Sequence, residues 1–90
     1  MGKRKGPQSV ATARQFGRSV AERRRKLGLT QDGTADRAGL HRTEIALIEQ
    51  GGRLPRLDTI VKLGGALGVE PCELMRGLAW KLEGLKEGSK

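Results

Sequence analysis

Glycine divides this chain. Gly28, Gly39, the Gly51-Gly52 pair and Gly68 each follow a short run whose apolar residues recur at helical spacing. A glycine just past the last helical position lets the backbone turn left-handed and close the helix. Before Gly28, the residues Phe16, Val20, Arg24 and Leu27 recur at intervals of 4, 4 and 3, one face of a helix that starts near Thr12. Thr30 is a good N-cap for a short helix from Gln31 to Ala38. After Gly39-Leu40, a third helix runs from about Arg42 to Gln50, with Ile45 and Ile48 inward. A loop around Pro55 follows, and Asp58 caps a fourth helix carrying Ile60, Val61, Leu63 and Leu67. Pro71 suits the first turn of a fifth helix, on which Met75, Leu78, Leu82 and Leu85 fall at 3-4-3 spacing as an amphipathic stripe. No segment alternates with period 2 for long enough to make a strand. The expected fold is all-α: five helices in one compact domain, with no internal repeat.

Charge is distributed as unevenly as glycine. The chain of 90 residues carries a net charge of +8. Half of its 18 basic residues but only one of its ten acids, Glu22, lie before residue 27; beyond that point the charges cancel. The excess therefore belongs to the N-terminus and the first helix. Residues 1–11 read as a flexible basic arm, 12–79 as the folded domain, and 80–90 as a helical extension and tail. On the first helix, Arg23, Arg25 and Lys26 could equally be a solvated face.

Composition removes several classes. The single cysteine, Cys72, allows neither an internal disulfide nor a cysteine-based zinc site. One histidine, His41, and no tyrosine leave little for catalysis, and no Gly-rich phosphate loop stands in a strand-loop-helix setting. The chain is expected not to be an enzyme and to use no metal or cofactor. No apolar run approaches the roughly 20 residues of a membrane span, and the basic start lacks the apolar stretch of a signal peptide. The expected compartment is the cytoplasm, at the nucleoid, with no membrane partner.

The middle of the chain carries the functional signal. Two helices of about eight residues are unstable alone. Joined by a three- to four-residue turn containing glycine, they match the helix-turn-helix plan, whose second helix enters the DNA major groove. The residues Leu29-Thr30-Gln31, Ala35, Ala38-Gly39-Leu40, Ile45, Ile48-Glu49-Gln50-Gly51, Pro55 and Ala66-Leu67-Gly68-Val69 stand in the order and spacing of a known family. Between about Phe16 and Leu78 the chain resembles the phage-repressor and Cro-like helix-turn-helix domains, also called the xenobiotic-response-element family. The resemblance implies a lambda-repressor-like five-helix domain that binds operator DNA, commonly as a dimer. It implies a partly buried ion pair between Arg24 and Glu49, and a Gln31 that contacts phosphate and braces the recognition helix. Three positions depart from the pattern. Thr34 stands where a large apolar residue is usual, Gly33 precedes it inside the helix, and Leu47 replaces a polar base reader.

With Ile45 and Ile48 inward, Arg42, Thr43, Glu44, Ala46 and Leu47 remain for the groove. Arg42 suits a guanine edge or a phosphate, while Thr43, Ala46 and Leu47 suit thymine methyls. Glu44 either accepts from cytosine N4 or closes a capping box with His41. Gln50, Arg53 and Arg56 flank the helix as phosphate contacts, and Lys3, Arg4 and Lys5 of the arm follow a phosphate track or enter a minor groove. In the C-terminal stripe, Met75, Leu78, Leu82 and Leu85 form a dimer seam with Trp80 beside it; the alternative is that Leu74 and Leu78 close the monomer core.

The expected function is sequence-specific binding of double-stranded DNA by a homodimeric transcriptional regulator, a repressor reading a palindromic operator through the major groove. A small controller of a restriction-modification system is one form of this. The alternative is an antitoxin-like protein that binds a protein partner and also regulates its own gene.

Overall fold

The computed structural model describes residues 6–82. Five helices follow one another: α1 (Pro7–Lys26), α2 (Gln31–Ala38), α3 (Arg42–Glu49), α4 (Leu57–Leu67) and α5 (Pro71–Leu74). No strand occurs among the described residues. Phe16 and Val20 of α1, Ile45 and Ile48 of α3, and Leu63 and Leu67 of α4 form the centre of the core, each at most 2% exposed. Leu74 of α5 closes it. Thr34 of α2 is also fully buried, and its hydroxyl has no hydrogen-bond partner.

One motif ends α1 to α4. Past each helix a glycine adopts positive φ: Gly28, Gly39, Gly51 and Gly68, at +70° to +77°. The following amide reaches back five residues: Leu29 to the Arg24 carbonyl, Leu40 to Ala35, Gly52 to Leu47 and Val69 to Gly64, at 2.9–3.0 Å. This satisfies carbonyls that the helix end would otherwise orphan. In three of the four turns the residue after the glycine is apolar, and Leu29, Leu40 and Val69 pack against the core. Glycine thus stops each helix, and its successor fastens the stop to the domain.

The structure departs from the sequence expectation at both ends. Residues 7–11, assigned to the arm, are helical, because Pro7 occupies the first turn, where its fixed φ is already helical and its missing N–H costs nothing. Lys3, Arg4 and Lys5 lie outside the described residues. The continuous helix expected over 71–85 is one turn long. Gly77 adopts φ +89° and breaks it. Leu78 packs on the core, whereas Met75, Trp80 and Leu82 are exposed, so these residues share no helical seam. Leu85 lies outside the described residues. The chain after Gly77 instead runs back to the start of α1. There the Gln8 side-chain amide donates to the Lys81 carbonyl at 2.9 Å and accepts from the Lys81 amide at 2.8 Å. A smaller correction concerns α4: Arg56 is its N-cap and Asp58 sits within the first turn, favourably placed for the helix dipole.

Candidate nucleic-acid interface

α3 has two faces with different tasks. Ile45 and Ile48 are fully buried. Arg42 and Thr43 are exposed on the opposite side, while Glu44, Ala46 and Leu47 are half-buried. The helix is only eight residues long, so its orientation depends on what its inner face grips.

The grip is polar at one end. Arg24 Nε donates to Glu49 Oε2 at 2.7 Å, and Nη2 donates to Oε1 at 3.0 Å, a bidentate pair. Arg24 Nη1 donates to the Leu29 carbonyl at 3.0 Å, and Gln31 Nε2 donates to Glu49 Oε1 at 3.0 Å. The two charged side chains are only 13% and 6% exposed. One carboxylate therefore joins the last turn of α3 to α1 and to the first residue of α2. Burial alone would push the Glu49 carboxyl up. Hydrogen bonds from Arg24 and Gln31, with the charges of Arg24 and Arg25, outweigh that and hold it below the ordinary carboxylate range. The Glu49 hydrogen bond likewise raises Arg24 against the opposing effect of burial.

The same junction explains a residue that sequence reasoning passed over. A β-carbon on Gly17 would collide with the Ile48 carbonyl oxygen and come within 2.9 Å of the Glu49 oxygen. Only a glycine lets α1 approach the end of α3 this closely. Its signal was a lone glycine inside a helical pattern, between Phe16 and Val20. Arg23 and Arg37 had no local signal. Arg23 Nε donates to the Leu67 carbonyl at 3.2 Å and Arg37 Nη1 to the Ala66 carbonyl at 3.1 Å. Both place positive charge at the C-terminus of α4, where the helix dipole favours it.

The outer residues are held lightly. Arg42 lies 3.6 Å from Asp32 with both side chains mostly exposed, a pair that water weakens and a nucleic acid can replace. Arg53 reaches Glu44 at 3.8 Å across the loop after α3, and Arg56 reaches Asp58 at 3.4 Å. His41 occupies the N-cap of α3 without a side-chain capping bond. Gln50 is exposed at the C-terminal end of α3. Arg42, Thr43, Gln50, Arg53 and Arg56 are thus accessible on α3 and the loop that leaves it. Among the described residues, no group of three histidine, cysteine or acidic side chains is placed to hold a metal ion, and no helix is long and apolar enough to cross a membrane.

Known proteins are similar to this chain in sequence and in fold. The control protein C.BamHI of Bacillus amyloliquefaciens is 43% identical over 61 residues, spanning 67% of this chain and 75% of that protein. The HTH-type transcriptional regulator y4dJ of Sinorhizobium fredii is 37% identical over 59 residues, 66% of this chain and 77% of its own. The crystal structure of the restriction-modification controller protein C.AhdI from Aeromonas hydrophila superposes with a TM-score of 0.70 at 39% identity. The match covers 71% of this chain and 97% of that one. Residues 20–74 match the helix-turn-helix family HTH_3, and with the two short helices, the Gly39 turn and the braced third helix in place, the chain belongs to that family.

Proposed function

We propose that this helix-turn-helix transcriptional regulator acts as a repressor that reads a palindromic operator as a homodimer, in the setting of a restriction-modification controller. The observation that carries the reading is the Arg24–Glu49–Gln31 brace. It fixes an eight-residue helix whose outer side is left open. Arg42 and Thr43 reach base edges, with Glu44, Ala46 and Leu47 beside them, and Gln31, Gln50, Arg53 and Arg56 contact phosphates. Lys3, Arg4 and Lys5 extend the phosphate contact. Two copies associate through apolar side chains that the fold leaves exposed, either Met75, Trp80 and Leu82 or Leu57 and Val61 of α4. The protein works in the cytoplasm, at the nucleoid, and its task needs no chemistry and no cofactor. The controller setting is supported by the names of the relatives at 43% and 39% identity. Those names do not favour the antitoxin-like reading.

Selection from a random duplex pool at near-physiological salt tests this. The expected product is an inverted repeat with half-sites about one helical turn, roughly 34 Å, apart. Arg42→Ala is expected to change base preference at one or two positions of each half-site. Absence of any enriched sequence would reject the reading.

A further inference from the structure

α1 carries more positive charge than its packing uses. Arg23 caps α4 and Arg24 is buried against Glu49. Arg18 and Arg25 do neither. They stand seven residues apart, on one face of the helix, exposed and without an ion pair among the described residues. Between them and the helix-turn-helix lies a notch of about 340 Å³. Gln31 at the start of α2 and Gln50 at the end of α3 form its other wall. Two carboxylates also line it. Glu49 is committed to Arg24 and Gln31; Glu22 is exposed and, among the described residues, has no cation paired with it.

We infer that this notch is a phosphate-binding site, in which Arg18 and Arg25 of α1 hold the DNA backbone beside the strand contacts of Gln31 and Gln50. The inference rests on the DNA-binding reading above and extends its footprint onto a helix outside the two-helix motif. Two amide side chains supply short, directional donors, and two guanidinium groups supply charge and bidentate geometry suited to phosphate oxygens. Arg25 already acts on the electrostatics of this corner, since its charge helps to hold the Glu49 carboxyl ionised. A phosphate seated there meets cations on the α1 side and amides on the other. Glu22 opposes it, which makes the sign of that residue's effect a test of the site. Contacts to phosphate orient the protein without reading sequence, so the notch sets affinity and docking angle and leaves base preference to α3.

The full chain is titrated onto its selected duplex, and onto an unrelated duplex of equal length, at several salt concentrations. Each phosphate neutralised contributes about 0.9 to the slope of log K against log salt. The Arg18→Gln/Arg25→Gln double variant is expected to reduce that slope by about 0.9 on both duplexes, the share of one phosphate, and each single variant by less. Glu22→Gln is expected to tighten binding to both. Arg76→Gln removes the same charge from a neighbouring groove beside α5, which meets the notch at Glu22, and is expected to leave the slope unchanged. All four side chains are exposed, and matching thermal melts verify that the variants fold. If the wild type selects a sequence but the double variant keeps its slope, the notch is wrong and the DNA-binding reading stands. An equal loss for Arg76→Gln would also overturn the site, because a diffuse field would then explain the charge effect. If the wild type binds neither duplex, both proposals fall.

Discussion

The α1–α3 junction and the segment after α5 are both fastened to α1, by opposite means. At the junction a bidentate ion pair is almost fully buried, and backbone approaches backbone at Gly17 with no room for a methyl group. After α5 the chain lies on the surface, and one glutamine side chain holds the backbone of Lys81. Buried electrostatics are strong because water cannot compete, and are correspondingly costly to interrupt. Exposed hydrogen bonds exchange with water at little net cost. The arrangement places rigidity where the recognition helix needs a fixed angle and leaves the C-terminal segment easily displaced.

Breaking the ion pair tests the comparison hardest. Glu49→Ala leaves the Arg24 guanidinium buried with the Leu29 carbonyl as its remaining partner. The expected loss is about 3–5 kcal/mol, a large share of what a domain this small possesses. Urea denaturation measures it, and a loss below about 1 kcal/mol would place the pair with surface bridges. The same pair has a pH signature. The Glu49 carboxyl is held below its ordinary range in the folded state. Its stabilisation is therefore fully present above the unfolded value of about 4.3 and is lost as the pH falls through the depressed folded value. Glu49→Gln is expected to flatten the wild-type decline in that acid window, as read by thermal melts at stepped pH.

Gly17→Ala comes next. Alanine is the better helix former by about 1 kcal/mol, so a surface glycine would gain from the change. Here the new methyl group meets the Ile48 and Glu49 carbonyl oxygens, which belong to backbone and cannot rotate aside. The expected net result is destabilisation of about 1–3 kcal/mol, with weakened DNA binding as α3 is pushed outward. Gly65→Ala is the control, since nothing lies within 4 Å of its β-carbon position; it is expected to be neutral or stabilising. Equal outcomes for the two glycines would remove Gly17 from the junction's function.

What the sequence made legible follows the range of the interaction. The helix stops were readable because glycine and its apolar successor act within a few residues, as at Gly28-Leu29, Gly39-Leu40 and Gly68-Val69. Ile45 and Ile48 were readable as inward because periodicity is local. The link from Arg24 to Glu49 needed the family resemblance, since nothing local connects positions 25 residues apart. Arg23, Arg37 and Gln8 act on backbone carbonyls distant in sequence, and no pattern announces such partners. The long fifth helix failed for a different reason. Its 3-4-3 spacing was genuine, but spacing alone does not make a helix across a glycine: α5 ends at Leu74, and Gly77 at positive φ keeps it from resuming.

Gln8→Ala probes the weak side of the comparison. It removes both hydrogen bonds to Lys81, and both are exposed to solvent. A typical hydrogen bond contributes about 0.5–1.5 kcal/mol net, and exposure to water places these at the lower end, so the expected loss is below about 1 kcal/mol. The informative readout is local. Hydrogen exchange of the Lys81 amide is expected to accelerate strongly, because Gln8 Oε1 is its only acceptor among the described residues. Exchange across α3 is expected to be unchanged, because its anchors lie at the Arg24–Glu49 pair and the Gly17 contact. Loosening of α3 in this variant would show that the two fastenings are coupled through α1, and the division between a rigid recognition face and a displaceable C-terminal segment would then fail.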